Sequence, residues 1–198
     1  MAVNLLRGQK ISLNKDDLSL KDLAITLGWQ LNSVRTGEML LDLDISAFLL
    51  TAAGKVEGAK DFVFYGNLRH PSGAVVLNNN VSRKSNTFGI DDCSVSIGID
   101  LSLIPPSVMR IALTATIYEA EARRQSFALV KNPYILIDKP LTKERIMGYY
   151  VNDVVRGETA LVFGEIYRNK QEWKFNAMGS GFQGGLAALC GNYGVEVG

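Results

Sequence analysis

The strongest constraint on this chain is a two-residue rhythm of apolar side chains. In "CSVSIGIDL", Val95, Ile97, Ile99 and Leu101 fall on one side of an extended backbone, and Ser94, Ser96, Gly98 and Asp100 on the other. In "LLDLDISAFLL", residues 40–50, Leu41, Leu43, Ile45, Ala47 and Leu49 make one apolar face, while Asp42, Asp44 and Ser46 stand opposite. Strand residues alternate between faces, so each such segment must find an apolar surface to cover one side. Comparable segments recur near residues 9–13, 23–29, 38–50, 60–65, 73–78, 94–100, 109–117, 133–138, 146–151, 159–167 and 172–178. Turn signals such as "RTGE" and "TAAGKV" separate them. Helical periodicity is confined to a turn at Leu101–Pro105 and a helix at Phe182–Cys190. The pattern predicts an all-β fold: a β-sandwich of two mostly antiparallel sheets with a few short helices. No repeat, low-complexity tract or long linker divides the 198 residues, so one domain spans 1–198.

Composition narrows the function. Apolar residues make up 47% of the chain, enough for a core that needs no staples. The 21 basic residues balance 20 acidic ones to a net +1, which gives no electrostatic case for nucleic acid. No run approaches ~18 apolar residues, and the N-terminus lacks a secretion signal. The expected location is cytoplasmic. Two cysteines and one histidine cannot build a zinc cluster.

Several motifs have a functional and a plain reading. Gly179, Gly181 and Gly184 match GxGxxG, yet too little chain follows for a second parallel strand and its acidic residue. Backbone crowding where a helix crosses a sheet is the better reading. The sole histidine, His70, sits in "NLRHPSG", read as a surface turn, which leaves no base for nucleophilic catalysis. Cys93 follows two acids, which disfavour a thiolate. Glu119, Glu121, Arg123 and Arg124 read as local ion pairs on a solvated face.

The acidic and amide residues say more. Asp42 and Asp44 share a strand face, roughly 7 Å apart, and like charges at that range need compensation. Asn67 ends "DFVFYGN"; Asn78, Asn79 and Asn80 end another strand; Asp91 and Asp92 precede a third. Oxygen-bearing side chains at strand ends suit calcium, which takes six to eight oxygen ligands at about 2.3–2.6 Å. They equally suit ordinary polar strand ends and Asn-rich turns. An EF-hand is excluded, because Ala47 and Ala53 stand at its glycine and terminal glutamate positions.

The blocks "LSLKDLAITLGW", "LDLDISAFLL", "DFVFYGN", "IYEAEARRQSFALV" and "ETALVFGEIYRNKQEWKFNAMGSGFQGGLAAL" make the chain resemble the TerD family of tellurium-resistance and general stress proteins, over nearly its whole length. The resemblance implies a β-sandwich whose loops bind calcium at one end. Its metal residues would be Asp42, Asp44, Asn67, Asn78, Asn79, Asp91 and Asp92. Glu165, in "VFGEIY", is a weaker candidate. The family's acidic elements are altered here: Ile45 stands where alanine is usual, Gly66 replaces an amide, Asn79 replaces a carboxylate and Cys93 a glutamate. Arg83 and Lys84 enter the acidic loop. One calcium, or weaker binding, fits these changes better than the family's two ions.

The resemblance further implies a non-catalytic stress-response protein linked to resistance to tellurite and other toxic agents. Its partners would be other tellurium-resistance and stress proteins. Its place would be the cytoplasm, or the inner face of the membrane through those partners. The alternative is an interaction module with weakened or lost metal binding.

Overall fold

The alternating segments form strands whose apolar faces meet. The computed structural model describes residues 2–14, 17–32, 41–85, 90–152 and 157–196. The first sheet runs β1 (Val3–Leu5), β10 (Arg145–Tyr150), β9 (Lys131–Asp138), β3 (Asp22–Asn32), β7 (Ile90–Asp100), β6 (Val75–Ser85). The second runs β2 (Lys10–Ser12), β12 (Glu172–Phe182), β11 (Ala160–Asn169), β8 (Arg110–Ile117), β4 (Leu43–Leu50), β5 (Phe62–Val63). Every named pair is antiparallel except β1 with β10. This is the two-sheet sandwich that the alternation predicts.

The inner faces supply the main core. Leu23, Ile25, Leu27 and Trp29 of β3 and Val95, Ile97 and Ile99 of β7 oppose Ile45, Ala47 and Leu49 of β4 and Ile111 and Leu113 of β8. Fully burying one such aliphatic side chain stabilises by about 1.5–3 kcal/mol. A second apolar cluster lies on the outer face of the second sheet. There Phe48, Leu50, Ala112, Ala160 and Val162 are covered by Leu189, Cys190 and Tyr193 of helix α1 (Gly185–Tyr193). Both Cys190 and Cys93 are buried free thiols.

In the glycine-rich segment the crowding at Gly179 comes from the first sheet rather than from the helix. Gly179 and Gly181 lie within β12, and Gly184 caps α1 at φ +90°. A Cβ at Gly179, itself at φ +58°, would sit 2.3 Å from the Tyr149 hydroxyl. Because Phe182 is still in β12 and Gly184 turns left-handed, α1 starts at Gly185 rather than at Phe182.

Other boundaries also differ from the expectation. β1 is an addition, a three-residue strand too short to show a pattern. β6 continues to Ser85 and β7 begins at Ile90, because each extends the other's ladder around an irregularity between Asn78 and Ser82. The "RTGE" turn, and the part of the 38–50 strand before residue 41, lie outside the described residues.

His70 is not the surface residue that its turn context suggests. It is 2% exposed, and its Nε2 lies 3.0 Å from Asp61 Oδ1. The Ser72 N–H donates to Nδ1 at 3.1 Å, so Nε2–H is the donor to Asp61. The other Asp61 oxygen accepts from the Glu57 N–H at 3.0 Å. This clasp ties the 57–61 segment to the turn that feeds β6. Removing the imidazole would leave the buried Asp61 carboxylate without its Nε2–H donor. We expect His70→Ala to lower unfolding free energy by about 3 kcal/mol or more, read from urea denaturation. A change under about 1 kcal/mol would show that the clasp contributes little.

Candidate functional site

The paired aspartates sit at the start of β4, on the side away from the main core. Asp44 stands opposite Thr116 of β8, and the Asp42 carbonyl accepts from the Tyr118 N–H at 3.0 Å. Asp42 is exposed and Asp44 half-buried. Neither carboxylate has an ion pair or hydrogen bond among the described residues. Burial first, and the Asp42 charge second, push Asp44 up to about 6. The next residue on that face, Ser46, is buried and lies 2.7 Å from Thr114 Oγ1, so its hydroxyl serves the β4–β8 pair.

Asp91 and Asp92 part company. The inward positions of β7 are Asp91, Cys93 and Val95, so Asp91 is buried while Asp92 is exposed on the outer face. Asp91 Oδ2 lies 3.6 Å from Arg83 Nε. Arg83 also lines a cavity of about 320 Å³ at the rim between the sheets, with Asp42, Trp29 and Cys93. A guanidinium thus already occupies this acidic rim. Asp92 instead accepts from Gln30 Nε2 at 2.6 Å, on the far side of the sheet. The two adjacent aspartates therefore serve different surfaces.

The amides have partners of their own. The Asn67 amide donates to the Phe62 carbonyl at 2.8 Å. The Arg69–Val76 bridge and the Leu77 N–H to Leu68 carbonyl bond run residues 67–70 beside the start of β6, toward Asn78. Asn78 Oδ1 accepts from the Asn80 N–H at 3.3 Å, and Asn79 is exposed in the irregular stretch that follows. No hydrogen bond joins Asn67, Asn78 or Asn79 to Asp42 or Asp44 among the described residues.

Glu165 lies opposite Ala112 on the outer face of the second sheet, where burial pushes its carboxyl up and Arg110 opposes this. Burial first, then Glu165, pushes the Tyr193 phenol well up. Glu165 thus belongs to the helix-covered face. Among the described residues, no three His, Cys, Asp or Glu side chains group as a metal site. The donors that fit a hard cation are the Asp42–Asp44 pair, which are oxygen-only and make no ion pair among the described residues.

The sequence reading missed Gln30, Asn132 and Tyr134, which surround Asp92 on the outer face. Their signal is the same alternation: in "NPYILID", Pro133, Ile135 and Ile137 face inward, so Asn132 and Tyr134 face outward.

Residues 1–193 match the family description "TerD domain". The chain is 40% identical over 196 residues to Tellurium resistance protein TerD of Serratia marcescens, covering 99% of each. It is 38% identical over 198 residues to General stress protein 16U of Bacillus subtilis, covering all of both. A solved structure of a homologue of telluride resistance protein (TerD) from Streptomyces coelicolor superposes with TM-score 0.62 at 21% identity, over 86% of this chain and 95% of that one. This chain belongs to the TerD family, and the Streptomyces structure shares its fold. No described helix is long and apolar enough to cross a membrane.

The Asp44 environment sets a pH dependence in chelator-treated protein. Its folded pKa, about 6, lies above the ordinary carboxylate value of 3.8. The stabilising proton is therefore fully present below the unfolded value and lost as pH rises through about 6. Asp44→Asn should raise Tm by roughly 2–4 °C at about pH 8, a modest figure because a half-exposed charge is screened. That gain should vanish near pH 4, within about a degree. An equal gain at both pH values would mean that the carboxylate charge is not the cause.

Proposed function

We propose that this chain is a calcium-binding stress-response protein, acting as a non-catalytic component of a larger assembly in resistance to tellurite and other toxic agents. The observation that carries the metal reading is the Asp42–Asp44 pair, two carboxylates on one strand face with no ion pair or hydrogen bond among the described residues. Like charges held this close disfavour each other's ionised form, and a bound cation would relieve that cost. Asp42 and Asp44 would be the anionic ligands. Neutral oxygens from Asn67, Asn78 or Asn79, backbone carbonyls and water would complete the six to eight that calcium takes. Asp91 and Asp92 contribute less in this reading, since Arg83 and Gln30 already engage them. When bound, the ion supplies positive charge that orders the acidic rim as a docking surface.

The stress role is supported by full-length similarity to relatives named for general stress and for tellurium resistance. The non-catalytic reading is supported by the state of the sole histidine. Ser72, His70 and Asp61 do form a hydrogen-bonded chain, with Ser72 Oγ 2.8 Å from Nδ1. However, the imidazole is 2% exposed, which keeps a substrate from the chain. The partners in this reading are other tellurium-resistance and stress proteins. Its place is the cytoplasm, or the inner membrane face through those partners.

A second reading has its own observation, the Arg83–Asp91 pair at the rim. There a built-in guanidinium supplies the positive charge, and the chain acts as an interaction module with little need of metal. Calcium titration separates the two. Calcium at about a hundred times its Kd should stabilise the wild type by roughly 2.7 kcal/mol. The double substitution Asp42→Asn, Asp44→Asn should remove that gain and leave the apo fold intact. A wild-type melting curve indifferent to millimolar calcium would favour the Arg83 reading.

A further inference from the structure

The outer faces of the two sheets differ. That of the second is covered by α1, whereas that of the first carries a cleft of about 480 Å³. Ligand sites commonly have volumes of roughly 300–1,000 Å³. Gln30, Lys84, Asp92, Asn132, Tyr134 and Tyr150 give this cleft its chemistry. It is separate from the Asp42–Asp44 pair and does not rest on the calcium reading.

Three features mark it as built. First, its polar groups are oriented in series. Asn132 Nδ2 donates to Gln30 Oε1 at 2.6 Å, and Gln30 Nε2 donates to Asp92 Oδ1 at 2.6 Å. A carboxylate only accepts, so this chain fixes the direction of both amides. Second, Asn132 takes the left-handed conformation, φ 46°, that few side chains adopt. Third, the Tyr134 ring packs closely against Gly28, where a Cβ would come within 2.2 Å of it. Tyr150 stands beside it, with ring centroids 5.6 Å apart.

The unused groups define the ligand. The series leaves the second Asp92 oxygen and the Asn132 Oδ1 as acceptors. Lys84 is the cross-strand partner of Asp92 yet forms no ion pair among the described residues, so its ammonium is a donor. One anion and one cation give the cleft no net charge, which disfavours a strongly ionic ligand. Acceptors and donors set close together suit hydroxyl groups, each of which both donates and accepts. The two tyrosine rings supply an apolar wall with polar tips. We infer that this cleft binds a neutral polyhydroxylated ring, a monosaccharide or a similar cyclic polyol.

The test uses the full chain, with side-chain amide resonances of Gln30 and Asn132 followed by NMR during titration with glucose, ribose and N-acetylglucosamine. At least one sugar should shift both amides saturably at millimolar concentration. Asp92→Ala, and separately Tyr150→Ala, should weaken that binding by about tenfold or more. Tyr150 is 44% exposed, so its removal should leave the fold, checked by backbone shifts, unchanged. No amide shift with any of the three sugars would overturn the inference. So would shifts produced by glycine instead, which would mean that Asp92 and Lys84 grip a zwitterion. Sugar binding unaffected by either substitution would place the site elsewhere and equally overturn it.

Discussion

Both inner sheet faces must stay apolar, and this dictates the direction of every side chain on the strands between them. The consequence is sharpest on β7. Cys93, Val95, Ile97 and Ile99 must point inward, so Asp91 points inward and Asp92 outward. A slip of one residue would put the whole apolar set in water. Two adjacent carboxylates that look like one feature in the chain therefore act on opposite surfaces. The same parity places Asp42 and Asp44 together on β4, away from Leu43 and Ile45. Asp42 lines the rim cavity together with Arg83, which pairs with Asp91.

The second sheet is apolar on both sides, and this decides where chemistry remains available. Phe48 stacks on Phe62 at 4.4 Å and Phe62 on Phe64 at 4.3 Å, extending the patch beneath α1. Gly164 permits close approach of β12, since a Cβ there would meet the Asn176 carbonyl oxygen at 2.4 Å. That layered packing leaves little room for a ligand on the covered face. The rim and the open face of the first sheet hold the exposed polar groups instead. Serines and glycines along β7 and the glycine at 28 keep that open face shallow, and Tyr134 and Tyr150 wall it.

Much of the fold was legible because period two is a local signal. Val95, Ile97 and Ile99, or Ile45, Ala47 and Leu49, announce their burial without knowledge of their partners. What was illegible depends on pairing. β1 is defined by its parallel register on β10 rather than by its own pattern. The continuation of β6 to Ser85 exists because β7 runs alongside it. His70 read as a surface residue because Asp61, nine positions earlier, gives no local sign that it will fold over the turn. The acidic residues were visible one by one, and the β4 pair could be read from its spacing. The diversion of Asp91 to Arg83 and of Asp92 to Gln30 depends on strand neighbours 62 positions away in the second case.

The proposed function turns on a cation bound by the carboxylates of Asp42 and Asp44. The most direct measurement is the anomalous difference map of crystals grown with calcium, collected at a wavelength where calcium scatters anomalously. The expected result is a peak at about 2.3–2.6 Å from carboxylate oxygens of both Asp42 and Asp44, with Arg83 remaining on Asp91. A rim without any peak, its charge met by the Arg83 guanidinium alone, would contradict it.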